Sequence, residues 1–152
     1  MFEALYVVLD WISIILNNSA IFGVIIIALL LLGENRNSKR AKIAAAIFVA
    51  LLAGFALKEM FKVPRPCLGE TVKIACPDDY SFPSLHATAA FALMIAFINK
   101  EKFAYYLLFA LITVFTRLYL GVHTIEDVAA GLVVATISYY AVDKLAPKEG
   151  KY

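Results

Sequence analysis

Residues Ile43 to Leu57 read IAAAIFVALLAGFAL, fifteen positions without an Asp, Glu, Lys or Arg. A helix that crosses the hydrocarbon core of a bilayer needs roughly 17 to 25 mostly apolar residues, and this run reaches that length as Ala41 to Phe61. Four more charge-free runs surround it: Trp11 to Gly33, Tyr80 to Asn99, Phe103 to Thr116 and Val128 to Val142. The last two become long enough as Phe103 to Gly121 and Thr124 to Val142. Among the charges taken in, Lys58, Arg117 and Asp127 then sit near helix ends inside or close to the membrane.

The whole chain agrees with that reading. Of 152 residues, 62% are hydrophobic and 17% charged, with a mean hydropathy of +0.81, where a soluble domain carries about 25% charged residues. We expect an all-α polytopic transmembrane bundle forming one membrane-embedded domain over residues 1–152, with a catalytic bundle over 41–143. No separate soluble catalytic domain fits, because the longest stretch lacking an apolar run is about twenty residues, around Pro64 to Phe82. The net charge of +2 is spread over several loops and forms no basic stripe, so nucleic acid is not an expected partner.

The first run is too long for one simple helix, and Asn17, Asn18 and Ser19 interrupt it with turn and helix-start chemistry. Before the break, Phe2, Leu5, Tyr6, Leu9, Ile12 and Leu16 fall near helical spacing, with Glu3, Asp10 and Ser13 between them. Residues 2–16 read as an amphipathic helix lying in the membrane interface. Ala20 to Leu32 starts the first of about five spans. A cleaved signal peptide is not expected, since a basic n-region is missing and Glu3 and Asp10 stand there instead.

Orientation follows from the basic residues. Arg36, Lys39, Arg40, Lys42, Lys100, Lys102, Lys144, Lys148 and Lys151 fall on one side, and Lys58, Lys62, Arg65, Lys73 and Arg117 on the other, nine against five. The larger group predicts the cytoplasmic side. Alternating spans then bring Lys58, Arg65, Ser84, His86, Arg117, His123 and Asp127 to the opposite, outer face, while Ala44, Ala45, Ala46, Gly54, Ala130 and Gly131 permit close helix packing.

Each of these polar residues has an ordinary explanation by itself. Basic residues at span ends snorkel to headgroups, Pro83-Ser84 is a common helix start, and His123 and Asp127, one helical turn apart, could be a simple pair. Together, at membrane depth, they read as a functional site. Three cations, Lys58, Arg65 and Arg117, suit the non-bridging oxygens of a phosphate, and helix-start N–H groups near Pro83 and Ser84 add an anion cradle. Asp127 can hold His123 in the tautomer that exposes a lone pair to phosphorus, while His86 protonates the leaving oxygen. The cations supply the electrostatic stabilisation, so no metal or other cofactor is expected. Asp78 and Asp79 could hold a divalent ion, but a carboxylate pair in a polar loop is more often solvated.

The spacing Lys58-x6-Arg65-Pro66, Pro83-Ser84-Leu85-His86 and Thr116-Arg117-x5-His123-x3-Asp127 resembles the three-part signature of the type 2 phosphatidic acid phosphatases, a superfamily that includes the vanadium haloperoxidases. The resemblance implies that His123 forms a phosphohistidine with Asp127 as its partner. It makes His86 acid and later base, and gives Lys58, Arg65, Ser84, Leu85 and Arg117 to phosphate. Leu85 stands where the family commonly has Gly, and Thr116 where Ser is frequent. The family's six-span arrangement is shortened at the N-terminus.

Family members usually act on lipid phosphates and diphosphates at the outer membrane face, which sets the expected location and partners: a multi-pass protein of the cell membrane, in the bilayer, with a lipid substrate. Haloperoxidases resemble large soluble proteins and are disfavoured. An isoprenoid diphosphate such as undecaprenyl diphosphate is the preferred substrate, by analogy with small members that recycle carrier lipids. The alternatives are a phosphatidic acid or phosphatidylglycerol phosphate phosphatase, a lipid phosphotransferase, and a non-catalytic protein that binds anionic lipid. Cys67 and Cys76, the only cysteines, lie in one outer loop, where they form either a disulfide or two free thiols.

Overall fold

The computed structural model describes residues 2–68 and 73–146. Lys148 and Lys151, two of the nine cations assigned to the cytoplasmic side, lie outside the described residues. Six helices follow one another: α1 (Phe2–Asn17), α2 (Ser19–Gly33), α3 (Asn37–Phe61), α4 (Leu85–Ala96), α5 (Phe103–Tyr119) and α6 (Ile125–Leu145). The described residues contain no strand.

The first apolar run does divide at its asparagines. Asn18 is extended, and its side-chain oxygen accepts from the N–H groups of Ala20 and Ile21, both at 3.1 Å. An asparagine cap of this kind stabilises a new helix by about 1 kcal/mol. It favours restarting the helix over continuing it, and α1 and α2 meet at 85°.

Two helices, α3 and α6, are long and apolar enough to cross a membrane singly, and the bent α1–α2 pair makes a third if it acts as one span. The shorter apolar helices α4 and α5 are about 18 Å and 25 Å long at 1.5 Å per residue. A charge-free run marks where water is avoided, not where the backbone coils. Within Tyr80 to Asn99 only Leu85–Ala96 is α-helical, because Ser81 N–H is drawn to the Val63 carbonyl at 2.8 Å and Ser84 starts the helix as its cap.

Helix α4 is the axis of the bundle. Nine of its twelve residues are buried, as expected of a helix apolar on every side, and it packs against α2, α3, α5 and α6. Alanines make this closeness possible: Ala46, Ala50, Ala87, Ala90, Ala92, Ala110 and Ala135 are all nearly inaccessible. At Gly131 of α6 an added Cβ would lie 3.0 Å from Thr88 Oγ1 and 3.2 Å from the Ser84 carbonyl oxygen, so α6 rides directly on the start of α4. Outward, Phe48 and Phe55 of α3, Leu108 and Leu111 of α5, and Val133 and Ile137 of α6 are exposed. An apolar outside around a small-residue inside is the pattern of a bundle solvated by lipid.

At the end away from the site, Glu34 joins the α2–α3 and α4–α5 connections. Lys100 Nζ lies 2.8 Å from its Oε2, and the Asn35 and Arg36 N–H groups donate to Oε1 at 3.1 Å each. Burial alone would raise the Glu34 carboxyl, but these hydrogen bonds and charges hold it down at about 2.

Candidate active site

The C-terminal ends of α3 and α5, the N-terminal ends of α4 and α6, and the α1–α2 elbow converge on one cavity of about 560 Å³. Lys58, Arg65, Leu85, His86, Arg117 and His123 line it, together with Asn17, Ser19 and Asp79, and an apolar wing of Phe22, Gly23, Ile26, Ile47, Leu51 and Ala89 runs between α2, α3 and α4. The three cations are at most 8% exposed.

His123 occupies the turn between α5 and α6, with Nδ1 3.3 Å from Asp127 Oδ2 and Nε2 3.1 Å from Arg65 Nη1. A guanidinium has only donors, so the nitrogen facing it must be the acceptor. That assigns the proton to Nδ1, where Asp127 accepts it, and leaves the lone pair on Nε2 facing the cations. Burial holds His123 below the ordinary imidazole value of 6.5, opposed by the Asp127 hydrogen bond and reinforced by the Arg65 charge.

Local sequence sets the Asp127 carboxylate. Thr124-x-x-Asp127 forms a reciprocal capping box: Thr124 N–H donates to Asp127 Oδ2 at 2.8 Å, and Asp127 N–H to Thr124 Oγ1 at 3.4 Å. The same Oδ2 accepts from Ser81 Oγ, whose oxygen is also 3.4 Å from His123 Nδ1. Ser81 is 1% exposed.

Backbone carbonyls anchor Lys58 and Arg65, and side-chain oxygens anchor Arg117. Lys58 Nζ donates to the Tyr80 carbonyl and lies 3.1 Å from Asp79 Oδ2. Arg65 Nη1 donates to the Val122 carbonyl at 2.9 Å, Nε to the Asp79 carbonyl at 3.1 Å, and Nη2 to Asp79 Oδ1 at 2.5 Å. Arg117 Nη1 donates to Asn17 Oδ1 at 2.9 Å, and its Nε and Nη2 reach Thr116 Oγ1 at 3.4 Å. The threonine found in place of serine therefore keeps a working hydroxyl beside the arginine.

Ser84, like Asp127, does not reach the cavity wall. It is fully buried. Its N–H donates to the Asp127 carbonyl at 3.0 Å and its Oγ accepts from Ala87 N–H at 3.5 Å, so it joins α4 to α6. The N–H groups of Leu85 and His86, the first two of α4, have no intrahelical acceptor, and both residues line the cavity. The Leu85 side chain lies over α3, where a Cβ on Gly54 would meet its Cδ2 at 2.6 Å. The His86 ring is tilted at 52° to Phe22 with a ring separation of 4.6 Å, and its Nε2 is buried without a partner among the described residues.

Cys67 and Cys76 are joined by a disulfide that packs with Leu120 and Val122, the latter carrying the carbonyl that holds Arg65. Among the described residues, no three His, Cys, Asp or Glu side chains gather as metal ligands. Sequence reasoning passed over three contributors to the site. In sequence Asn17 marks only a helix break, Asp79 reads as a solvated loop residue, and Ser81 carries no periodicity or motif of its own.

The chain belongs to the PAP2 superfamily, the type 2 phosphatidic acid phosphatase-like proteins, whose family model matches residues 39–151. It is 34% identical over 137 residues to undecaprenyl-diphosphatase BcrC of Bacillus subtilis (strain 168), covering 86% of this chain and 71% of that one. Putative undecaprenyl-diphosphatase YbjG of Escherichia coli (strain K12) is 31% identical over 63% of this chain and 51% of its own length. Sphingosine-1-phosphate phosphatase 2 of Homo sapiens is 29% identical over 59% of this chain, but only 25% of its own length is matched. The crystal structure of Aquifex aeolicus LpxE superposes with a TM-score of 0.70 at 22% identity, covering 94% of this chain and 86% of that one, which establishes the shared fold. The relatives are phosphatases of this superfamily, and the chain is a helical membrane protein of the same kind.

Proposed function

We propose that this protein is a membrane lipid phosphatase that hydrolyses an isoprenoid diphosphate, with undecaprenyl diphosphate the first candidate, through a phosphohistidine on His123. The observation that carries the proposal is the orientation of His123: its Nε2 lone pair faces the cavity that Lys58, Arg65, Arg117 and His86 share, while Asp127 accepts from Nδ1. The similarity to two undecaprenyl-diphosphatases supports the substrate class.

In the proposed reaction the terminal phosphate lies among the three cations and the Leu85 and His86 N–H groups, with the lipid chain along the apolar wing. His123 Nε2 attacks phosphorus, the bond from phosphorus to the bridging oxygen breaks, and His86 gives that oxygen its proton. Asp127 stabilises the cationic histidine. Water then attacks phosphorus, His86 takes its proton, the P–N bond breaks, and inorganic phosphate leaves beside the lipid monophosphate. Positive side chains and oriented N–H groups supply the stabilisation of the transferring group, so the reaction is proposed to be independent of metal.

The same proposal places residues 1–152 in a single membrane domain of about five spans, with α1 in the interface and the site on the extracytoplasmic side. Arg36, Lys39, Arg40, Lys42, Lys100, Lys102 and Lys144, on the connections away from the site and near the end of α6, support that orientation. The test is phosphate release in detergent with EDTA by wild type and His123→Ala, on undecaprenyl diphosphate, phosphatidic acid, phosphatidylglycerol phosphate and sphingosine 1-phosphate. Release by wild type alone, fastest on the isoprenoid diphosphate, is the expected result. Faster release from a monophosphate lipid would move the substrate assignment, and equal release by the variant would remove His123 from the chemistry.

A further inference from the structure

Lys58 and Arg65 share a carboxylate of the protein itself inside the cavity, that of Asp79. Asp79 places Oδ2 3.1 Å from Lys58 Nζ and Oδ1 2.5 Å from Arg65 Nη2, bridging the two cations as two oxygens of a phosphate would. The partners differ sharply in accessibility: the Lys58 and Arg65 side chains are 3% and 7% exposed, that of Asp79 is 54% exposed. Each cation also has a backbone anchor that does not depend on the carboxylate, the Tyr80 carbonyl for Lys58 and the Val122 and Asp79 carbonyls for Arg65. A rotation of the Asp79 side chain would therefore vacate the site without moving either cation.

Resting on the reading of this cavity as a phosphate site, we infer that Asp79 is an exchangeable internal anion that competes with phosphate for Lys58 and Arg65, selects against free inorganic phosphate and speeds its departure after hydrolysis. Burial would raise this carboxyl, but Arg65 first and then Lys58 hold it below the ordinary carboxylate range, so it stays an anion. A dianion entering beside it meets a like charge on the same two cations. A diphosphate lipid brings extra charge and a tail that binds along the apolar wing, and can displace the carboxylate. Product phosphate has no tail, and the returning carboxylate expels it.

The test is equilibrium binding of inorganic phosphate to the full-length protein in detergent, by isothermal titration calorimetry at fixed pH and ionic strength. Removing a competing charge at contact distance should tighten phosphate binding by about tenfold in Asp79→Asn, with matching stronger product inhibition. Asp79→Glu should stay near wild type. Asp78→Asn, which removes the same charge one residue away, should change binding by no more than about twofold. Unchanged or weaker binding in Asp79→Asn, equal tightening in Asp78→Asn, or no saturable phosphate binding by any of these proteins would overturn the inference. Asp79→Ser serves as a second neutral variant, and loss of folding in both would make Asp79 a structural ion-pair partner, which also overturns it. Binding needs no turnover, so tightened phosphate binding without lipid hydrolysis would sink the hydrolase reading and leave the competing anion standing.

Discussion

Asn17 and Arg117, one hundred positions apart in sequence, meet through a 2.9 Å hydrogen bond from Arg117 Nη1 to the asparagine amide oxygen. The α1–α2 elbow is thereby part of the site, because the residue that ends α1 orients a cation on α5. Hydrogen bonds to charged groups are worth about 1.5–3 kcal/mol. Asn17→Ala should lower kcat/KM by about tenfold or more with little change in thermal midpoint. Unchanged kinetics would show that Arg117 holds its place without the elbow.

Ser81 adds a third donor to the Asp127 oxygen that already serves His123 and the Thr124 N–H. In Ser81→Ala the carboxylate loses a charge-assisted hydrogen bond, and kcat should fall by about ten- to a hundredfold. Because the lost group acts on the histidine pair and not on substrate, KM should move little. A rise in KM at constant kcat would contradict this role.

The state of His123 can be read directly. Its folded pKa is depressed below 6.5 by burial, with the Asp127 hydrogen bond opposing and the Arg65 charge adding to the depression. The ring should remain neutral, and so nucleophilic, as pH falls to the ordinary imidazole value. An NMR titration of labelled protein should place its midpoint below 6.5. Asp127→Asn should push the midpoint lower and Arg65→Ala should raise it. Opposite shifts would mean that the charges around the ring are misassigned.

Glu34 predicts a stability effect far from the chemistry. Its pKa falls from 4.5 to about 2 on folding, and a depressed carboxyl contributes stability that is present above its unfolded pKa. That contribution is lost as pH drops from about 4.5 towards 2. Glu34→Gln should lower the thermal midpoint at pH 7, by an amount that shrinks through this window and vanishes at its acid end. A pH-independent difference would point to packing alone.

Much of the site was legible because its chemistry is local. His123 and Asp127 are one turn apart, the Lys58 and Arg117 cations end apolar runs where charge is costly, and Arg65 follows Lys58 at the spacing of the signature. The Asn18 cap is equally local, and so the break between α1 and α2 could be read as well. Ser81, Asp79 and Asn17 could not, since each acts through a contact across the fold: Ser81 to Asp127, Asp79 to Lys58 and Arg65, Asn17 to Arg117. Ser84 shows the opposite limit. The signature assigns it to phosphate, whereas its N–H is taken up by the Asp127 carbonyl of α6 and its Oγ caps α4 by accepting from Ala87 N–H. Span number was the least legible feature, because the apolar length around α4 includes five non-helical residues, 80–84, before the helix begins.

Covalent trapping tests the central claim most directly. Protein mixed with undecaprenyl diphosphate labelled in its terminal phosphate and quenched in base should carry label on a histidine, acid-labile and mapping to the peptide that contains His123. His123→Ala should carry none, and His86→Ala should accumulate less label or release it more slowly. Turnover by wild type with no trapped label, or label persisting in His123→Ala, would contradict the account.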